Sequence, residues 1–267
     1  MTRARRPAVV GILNVTPDSF SDGGRFAAPA VAVEHGLAML RAGADWIDVG
    51  GESTRPGADL VDAAEEAERV VPVVRALVAA GALVSVDTRK AEVAQAALRV
   101  GARMVNDVSG GLFDPAILAV TAAEGAFFVA MHMRGTPADM ATHAHYDDVV
   151  AEVLEELGDR MDAARSAGIA ADKLIADPGF GFAKELPHNL ELLSRLAELA
   201  ALEVPLFVGV SRKSMVGALT GTAQPADRLA GSLAALTVAV LHGASYLRVH
   251  DVSESLAAVR VAVALRR

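Results

Sequence analysis

The chain contains no cysteine. That excludes disulfides, thiolate metal centres and a cysteine nucleophile. Aromatic residues make up only 4% of it, with a single tryptophan, so its core must be built from alanine, valine and leucine. No uninterrupted apolar run reaches the roughly 18 residues that a membrane-spanning helix requires. The basic start, MTRARRPAVV, leads into an apolar run too short for a secretory signal, which makes a cytoplasmic protein the expectation. Positive charge is not in excess either. A net charge of −8 argues against a general nucleic-acid binder, though not against a small anion held by a few local cations.

What the chain has is length and apolar content: 267 residues, 52% apolar, enough to bury one large α/β core. Its organising stretch is Ala8–Gly24. Ala8–Leu13 is a short apolar run that suits a strand buried on both faces. Asn14 ends that run, and Pro17 with Gly23-Gly24 forces a loop that carries Asp18, Ser19, Phe20 and Asp22.

The pattern then repeats along the chain. Further strands are expected at Asp45–Val49, Leu83–Val86, Arg103–Val105, Phe127–Met131, Leu174–Ala176, Pro205–Val210 and Tyr246–Val249. Helices are expected at Pro29–Ala42, Ala63–Ala80, Lys90–Val100, Pro115–Glu124, Val149–Ala167, His188–Leu202 and Ala226–His242, with a short piece ending at Leu219 and a last helix capped by Ser253. Eight alternating β and α units predict parallel strands joined by helical crossovers. The expected fold is a single (β/α)8 TIM barrel domain over residues 1–267, with its site at the carboxyl-terminal rim of the strands.

Polar residues collect at that rim. Asn14, Asp87, Asn106, Asp177, Lys213 and His250 fall at or just beyond strand ends, and Arg248 lies in the last one. Any one of the acids could cap a helix. Together, Asp87, Asn106 and Asp177 form a frame for a flat, donor-rich heterocycle, because a carboxylate accepts two parallel N–H bonds and an amide reads a mixed edge. Lys213, between Ser211 and Ser214, resembles an anion cradle. In Arg248-Val-His250 the strand alternation puts Arg and His on one face. Arg55 and Pro56 sit on a Gly-bounded loop suited to an anion contact. His143 and His145 suggest a metal pair, but no third strong ligand is near them in sequence, and a metal reading is set aside. Phe180 and Phe182 either pack or wall a ligand slot.

These segments form a recognisable set. Asn14-Val-Thr-Pro-Asp-Ser-Phe-Ser-Asp-Gly-Gly24, Gly51-Glu-Ser-Thr-Arg-Pro-Gly57, Ser85-Val-Asp-Thr88, Val105-Asn-Asp-Val-Ser-Gly-Gly111, Met131-His-Met133, Asp177-Pro-Gly-Phe-Gly-Phe182, Ser211-Arg-Lys-Ser214 and Arg248-Val-His250 closely resemble the dihydropteroate synthase family, in order and over essentially the whole chain.

The resemblance implies a pterin-binding transferase of folate biosynthesis that joins 6-hydroxymethyl-7,8-dihydropterin diphosphate to 4-aminobenzoate and releases pyrophosphate. It implies that Asp87, Asn106, Asp177 and Lys213 hold the pterin, with Arg248 over its face and Met131 beside it. Thr54, Arg248 and His250 would serve the diphosphate, and Asn14 a Mg2+ cofactor. Phe20, Arg55, Pro56, Phe182 and Ser211 would border the aminobenzoate slot, where sulfonamides compete. Asp22 is the candidate to stabilise a cationic methylene. A homodimer is implied, with no nucleic-acid or membrane partner. Ala183 replaces a residue often glycine in the family, a change expected to matter little. A corrinoid-type pterin methyltransferase on the same barrel gives no role to the first two loops. A non-catalytic pterin-binding paralogue would need one of those loops damaged, and a phosphosugar barrel enzyme gives no role to the three amide or carboxylate tips.

Overall fold

The computed structural model describes residues 6–16, 24–53 and 60–266. Its strands are β1 Ala8–Asn14, β2 Trp46–Gly50, β3 Val84–Asp87, β4 Met104–Asp107, β5 Phe127–Met131, β6 Leu174–Asp177, β7 Phe207–Val208 and β8 Tyr246–Val249. All pairings are parallel, in the order β6-β5-β4-β3-β2-β1-β8-β7. A parallel bridge between Ala176 and Leu206 brings the two ends together, so the sheet closes into a (β/α)8 barrel.

The pleat decides what each strand residue faces, since successive side chains point to opposite sides. Val9, Ile47, Val49, Val105, Phe128, Leu174, Val208 and Leu247 pack outward in the main core shared with the helices. Val10, Trp46, Met104, Val129, Ile175 and Phe207 form a separate cluster that plugs the barrel interior. Two residues further along the same inner faces come Asp48, Asn106, Met131, Asp177 and Arg248. The interior therefore changes from apolar to polar in one step of the pleat, and that step positions the site.

The surrounding helices are α1 Gly24–Arg41, α2 Ala63–Ala79, α3 Ala91–Arg99, α4 Ala116–Ala123, α5 Val149–Ser166, α6 Leu186–Ser194, α7 Ser214–Thr220, α8 Leu229–Leu241 and α9 Val252–Leu265. Local chemistry starts several of them. Asp62 caps α2 by accepting from the Ala64 amide at 2.8 Å, and Asp148 caps α5 by accepting from Val150 and Ala151 at 2.9 and 3.0 Å. None of the described helices is long and apolar enough to cross a membrane.

Some boundaries differ from those expected. The helix after β6 ends at Ser194 and continues as a 3-10 segment, Leu196–Leu202, because the tighter winding stacks Leu196 over Leu199 and buries both. β7 keeps only two residues, since Pro205 lacks an N–H and pairing with β8 spans two rungs. Asp251, not Ser253, precedes α9. The Ser253 hydroxyl donates to Glu254, and the Asp251 carboxylate is taken by Arg212, with Nε–Oδ2 3.0 Å and Nη2–Oδ1 2.5 Å.

Candidate active site

Parallel register aligns Asn14, Gly50, Asp87 and Asn106 across β1 to β4 and sets Met131 opposite Asp177 on β5 and β6. Gly50 leaves room in that row: a Cβ there would lie 3.3 Å from the Cβ of Asp87. The sequence-predicted tips thus converge at one end of the barrel.

An ion-pair network ties them together. Arg248 donates from Nε to Asp48 Oδ2 at 2.6 Å and from Nη2 to Asp87 Oδ2 at 2.7 Å. Asn106 Nδ2 donates to the same Asp48 oxygen at 3.0 Å. Asp48 is fully buried, and its Oδ1 has no hydrogen-bond partner among the described residues. Sequence reasoning missed this hub. The available signal was an acid inside the apolar strand DWIDV, on the same face as Trp46 and so pointing inward.

On the far side, Asp177 Oδ1 accepts from the Gly179 amide at 2.7 Å. Lys213 turns away from the start of α7. Its Nζ donates to the Phe180 carbonyl and lies 4.3 Å from the centre of the Phe182 ring. It therefore joins the β6 tip rather than an anion cradle at its own helix. Met131 packs with Val108, Met133, Met140 and Ala183, and Phe182 lies against this group. Ser211 Oγ and His250 Nδ1 are 3.0 Å apart, and the His250 amide donates to that hydroxyl at 3.3 Å. Phe20, Asp22, Thr54, Arg55 and Pro56 lie outside the described residues.

Ala183 matters more than the sequence suggested. Its φ of +47° is left-handed, a conformation that costs an alanine about 1–2 kcal/mol and a glycine little.

Burial perturbs the charged groups. It pushes Asp87 up to about 7; Arg248 opposes the shift, and Asp48, Glu66 and Asp107 add to it. It pushes Asp177 up to about 6 against the pull of the Gly179 amide and of Lys213. It pushes Lys213 down to about 8, with Asp177 opposing. The site therefore holds dehydrated charges in a geometry suited to planar N–H donors.

A stability signature follows. Between about pH 4 and 7 the folded protein keeps protons on Asp87 and Asp177 that the unfolded chain has released. Their contribution to stability accordingly falls as pH rises through that window. Asp177→Asn retains an acceptor for Gly179 but removes one titration. The ligand-free variant should lose less melting temperature than the parent between pH 5 and pH 7.5. Parallel melting-temperature profiles from calorimetry would contradict this.

Buried carboxylates, an amide and cations at the carboxyl end of a (β/α)8 barrel define a barrel enzyme for a planar, donor-rich ligand. Residues 10–250 match the family of pterin binding enzymes. The chain is 49% identical to the dihydropteroate synthase of Escherichia coli K12 over 256 residues, covering 96% of this chain and 90% of that protein. It superposes on Xanthomonas albilineans dihydropteroate synthase with 4-aminobenzoic acid at a TM-score of 0.92 and 49% identity, over 97% of this chain and 93% of that one. For the same bacterium's enzyme in complex with 7,8-dihydropteroate the TM-score is 0.89 at 46% identity, over 99% and 95% of the two chains. The chain belongs to the pterin-binding enzymes and, within them, to the dihydropteroate synthases, which are transferases.

Proposed function

We propose that the chain joins 6-hydroxymethyl-7,8-dihydropterin diphosphate to 4-aminobenzoate, giving 7,8-dihydropteroate and pyrophosphate. The observation that carries this reading is the polar layer inside the barrel, where Asp87, Asn106 and Asp177 sit within one pleat step of an apolar floor. The pterin edge donates N–H groups to Asp177 and Asp87, Asn106 reads its mixed edge, and Lys213 approaches from the Phe182 side. As the pterin enters, the Arg248 Nη2 gives up Asp87. Asp48 retains Nε, so the guanidinium stays in place to lie over the ring.

We assign the diphosphate to His250, Arg248 and Thr54, and the aminobenzoate to Phe20, Arg55, Pro56, Phe182 and Ser211. The reaction breaks the C–O bond between methylene and diphosphate and forms a C–N bond to the amine, whose proton leaves to the released pyrophosphate or to water. Aniline nitrogen is a weak nucleophile, so departure of the diphosphate before attack is favoured, with positive charge carried by the electron-rich pterin. Asp22 stabilises that charge, and His250 and Arg248 the departing one. No enzyme nucleophile is required.

A hard-oxygen site for Mg2+ fits Asn14. Its amide stands at the end of β1 in line with Gly50 and Asp87. When bound, Mg2+ would neutralise diphosphate charge. We also assign the protein to the cytoplasm, as a homodimer formed through α8 and α9, which carry the exposed side chains Leu241, Val261 and Leu265.

The test is pyrophosphate release by purified protein with dihydropterin diphosphate and Mg2+, with and without 4-aminobenzoate. Release that requires both, with dihydropteroate formed, is the expected result. Tight pterin diphosphate binding without turnover would overturn the reading in favour of a non-catalytic paralogue. In the same assay Asp22→Ala should bind pterin diphosphate normally and turn over slowly; unchanged turnover removes Asp22 from its role.

A further inference from the structure

Lys184 is a buried lysine that the proposed mechanism does not use. Only 8% of the residue is exposed, yet it stands on the loop between β6 and α6. Its Nζ has three acceptors in reach: the Gly179 carbonyl at 3.2 Å, the Phe182 carbonyl at 3.1 Å and His132 Nδ1 at 2.8 Å. His132 is fully buried, and its Nε2 lies 3.1 Å from Glu156 Oε2. Burial and the nearby Lys184 keep the imidazole neutral, with its pKa pushed down to about 3. Burial pushes the Lys184 side chain well below the ordinary lysine range, with Asp177 opposing. The order across this cluster is carboxylate, neutral imidazole, lysine Nζ, backbone carbonyl.

The two carbonyls belong to the turn that builds both halves of the site. The Gly179 amide is bonded to Asp177, and the Phe182 ring lies under the Lys213 ammonium. The rest of the turn is equally fastened. Asn189 accepts from the Gly181 amide at 2.7 Å, and the Tyr146 hydroxyl donates to the Ala183 carbonyl at 3.0 Å. Ala183 holds its left-handed φ within this turn, and strain of that kind persists only where the surroundings over-determine the backbone. A lysine buried at the cost of its hydration, next to another cation-bearing loop, is a poor device for stability alone.

We infer that Lys184 is a positioning residue that fixes the Asp177–Phe182 turn, and through it sets the fit of both the pterin and the aminobenzoate. This rests on the reading that Asp177 faces the pterin and Phe182 the aminobenzoate. Lys184→Met keeps most of the unbranched side chain and removes its donors. Its KM for 4-aminobenzoate should rise about tenfold and its pterin diphosphate affinity fall several-fold, because small displacements of binding groups are costly. Lys184→Gln restores donors to part of the turn, so the expected order of KM is parent, Gln, Met.

Calorimetric binding and steady-state kinetics at a temperature below each variant's melting point give the readout. A folded Lys184→Met with both constants within twofold of the parent overturns the inference, whatever its melting temperature. If Lys184→Met does not fold, the same criterion applies to Lys184→Gln. Asp177→Ala and Phe182→Ala serve as controls. If neither alters substrate binding, the site reading itself has failed; if they do and the lysine variants do not, only the positioning role has failed.

Discussion

Arg248→Met should lower kcat/KM at least ~100-fold, the scale expected when a preorganised charge stabiliser is lost. Arg248 is the cation between Asp48 and Asp87, at 2.6 and 2.7 Å. Removing it leaves two carboxylates at the barrel interior with no guanidinium between them. Breaking a buried pair from one side typically costs about 3–5 kcal/mol. The variant should therefore also melt at a markedly lower temperature, and Asp87, already pushed up to about 7, should hold its proton to higher pH still. Adding Asp48→Asn to Arg248→Met should restore much of the stability, because the orphaned charge is gone, and none of the activity. Recovery of both together would mean that the guanidinium serves the fold and not the ligand. Thermal melts and steady-state kinetics on the parent and the two variants distinguish these outcomes.

Gly179→Ala is expected to be the most damaging small substitution in the barrel. A Cβ there would lie 1.9 Å from the carbonyl oxygen of His132, and φ is +70°. Backbone stands on both sides of that contact, so no side-chain rotation relieves it. The turn must move, and Asp177 then loses the Gly179 amide that orients it. A loss of more than about 3 kcal/mol and of pterin diphosphate binding is expected. Gly221→Ala is the matched control. Its φ of +68° is equally left-handed, but nothing lies within 4 Å of the added carbon. Its cost should stay near the ~1 kcal/mol of the strain alone. Equal melting temperatures for the two variants would refute the steric account.

Much of this architecture was legible because short buried strands have to stop where the first polar residue appears. Asp87 and Asp177 each follow three apolar or small residues and close their strands, and Asn106 with Asp107 closes β4. Asp48 was not legible for the same reason. It lies between Ile47 and Val49, inside the run, and its partner Arg248 is 200 residues away. Lys184 reads as a loop lysine, since nothing local announces that His132 and two carbonyls surround it. The break after Ser194 was hidden because apolar spacing alone does not separate 3.6-residue from three-residue winding at Leu196 and Leu199. Lys213 reads as part of a phosphate-like cradle formed with its own serines, whereas its contacts come from the preceding βα loop.

The bond from Arg248 to Asp48 also has a bearing on how the molecule is made. The chain is synthesised from its N-terminus, and β2, β3 and β4 leave the ribosome long before β8 exists. Until Arg248 arrives, Asp48 and Asp87 lack the guanidinium that pairs with both of them, and they favour conformations that keep them in water. The same last strand pairs with β1, Ala8 opposite Tyr246. Ring closure and charge neutralisation are thus one late event, made from contacts of very long sequence separation, which form slowly. A chain halted before residue 248 lacks both the β8 pairing to β1 and the site's guanidinium, and so forms neither a sealed ring nor a working centre.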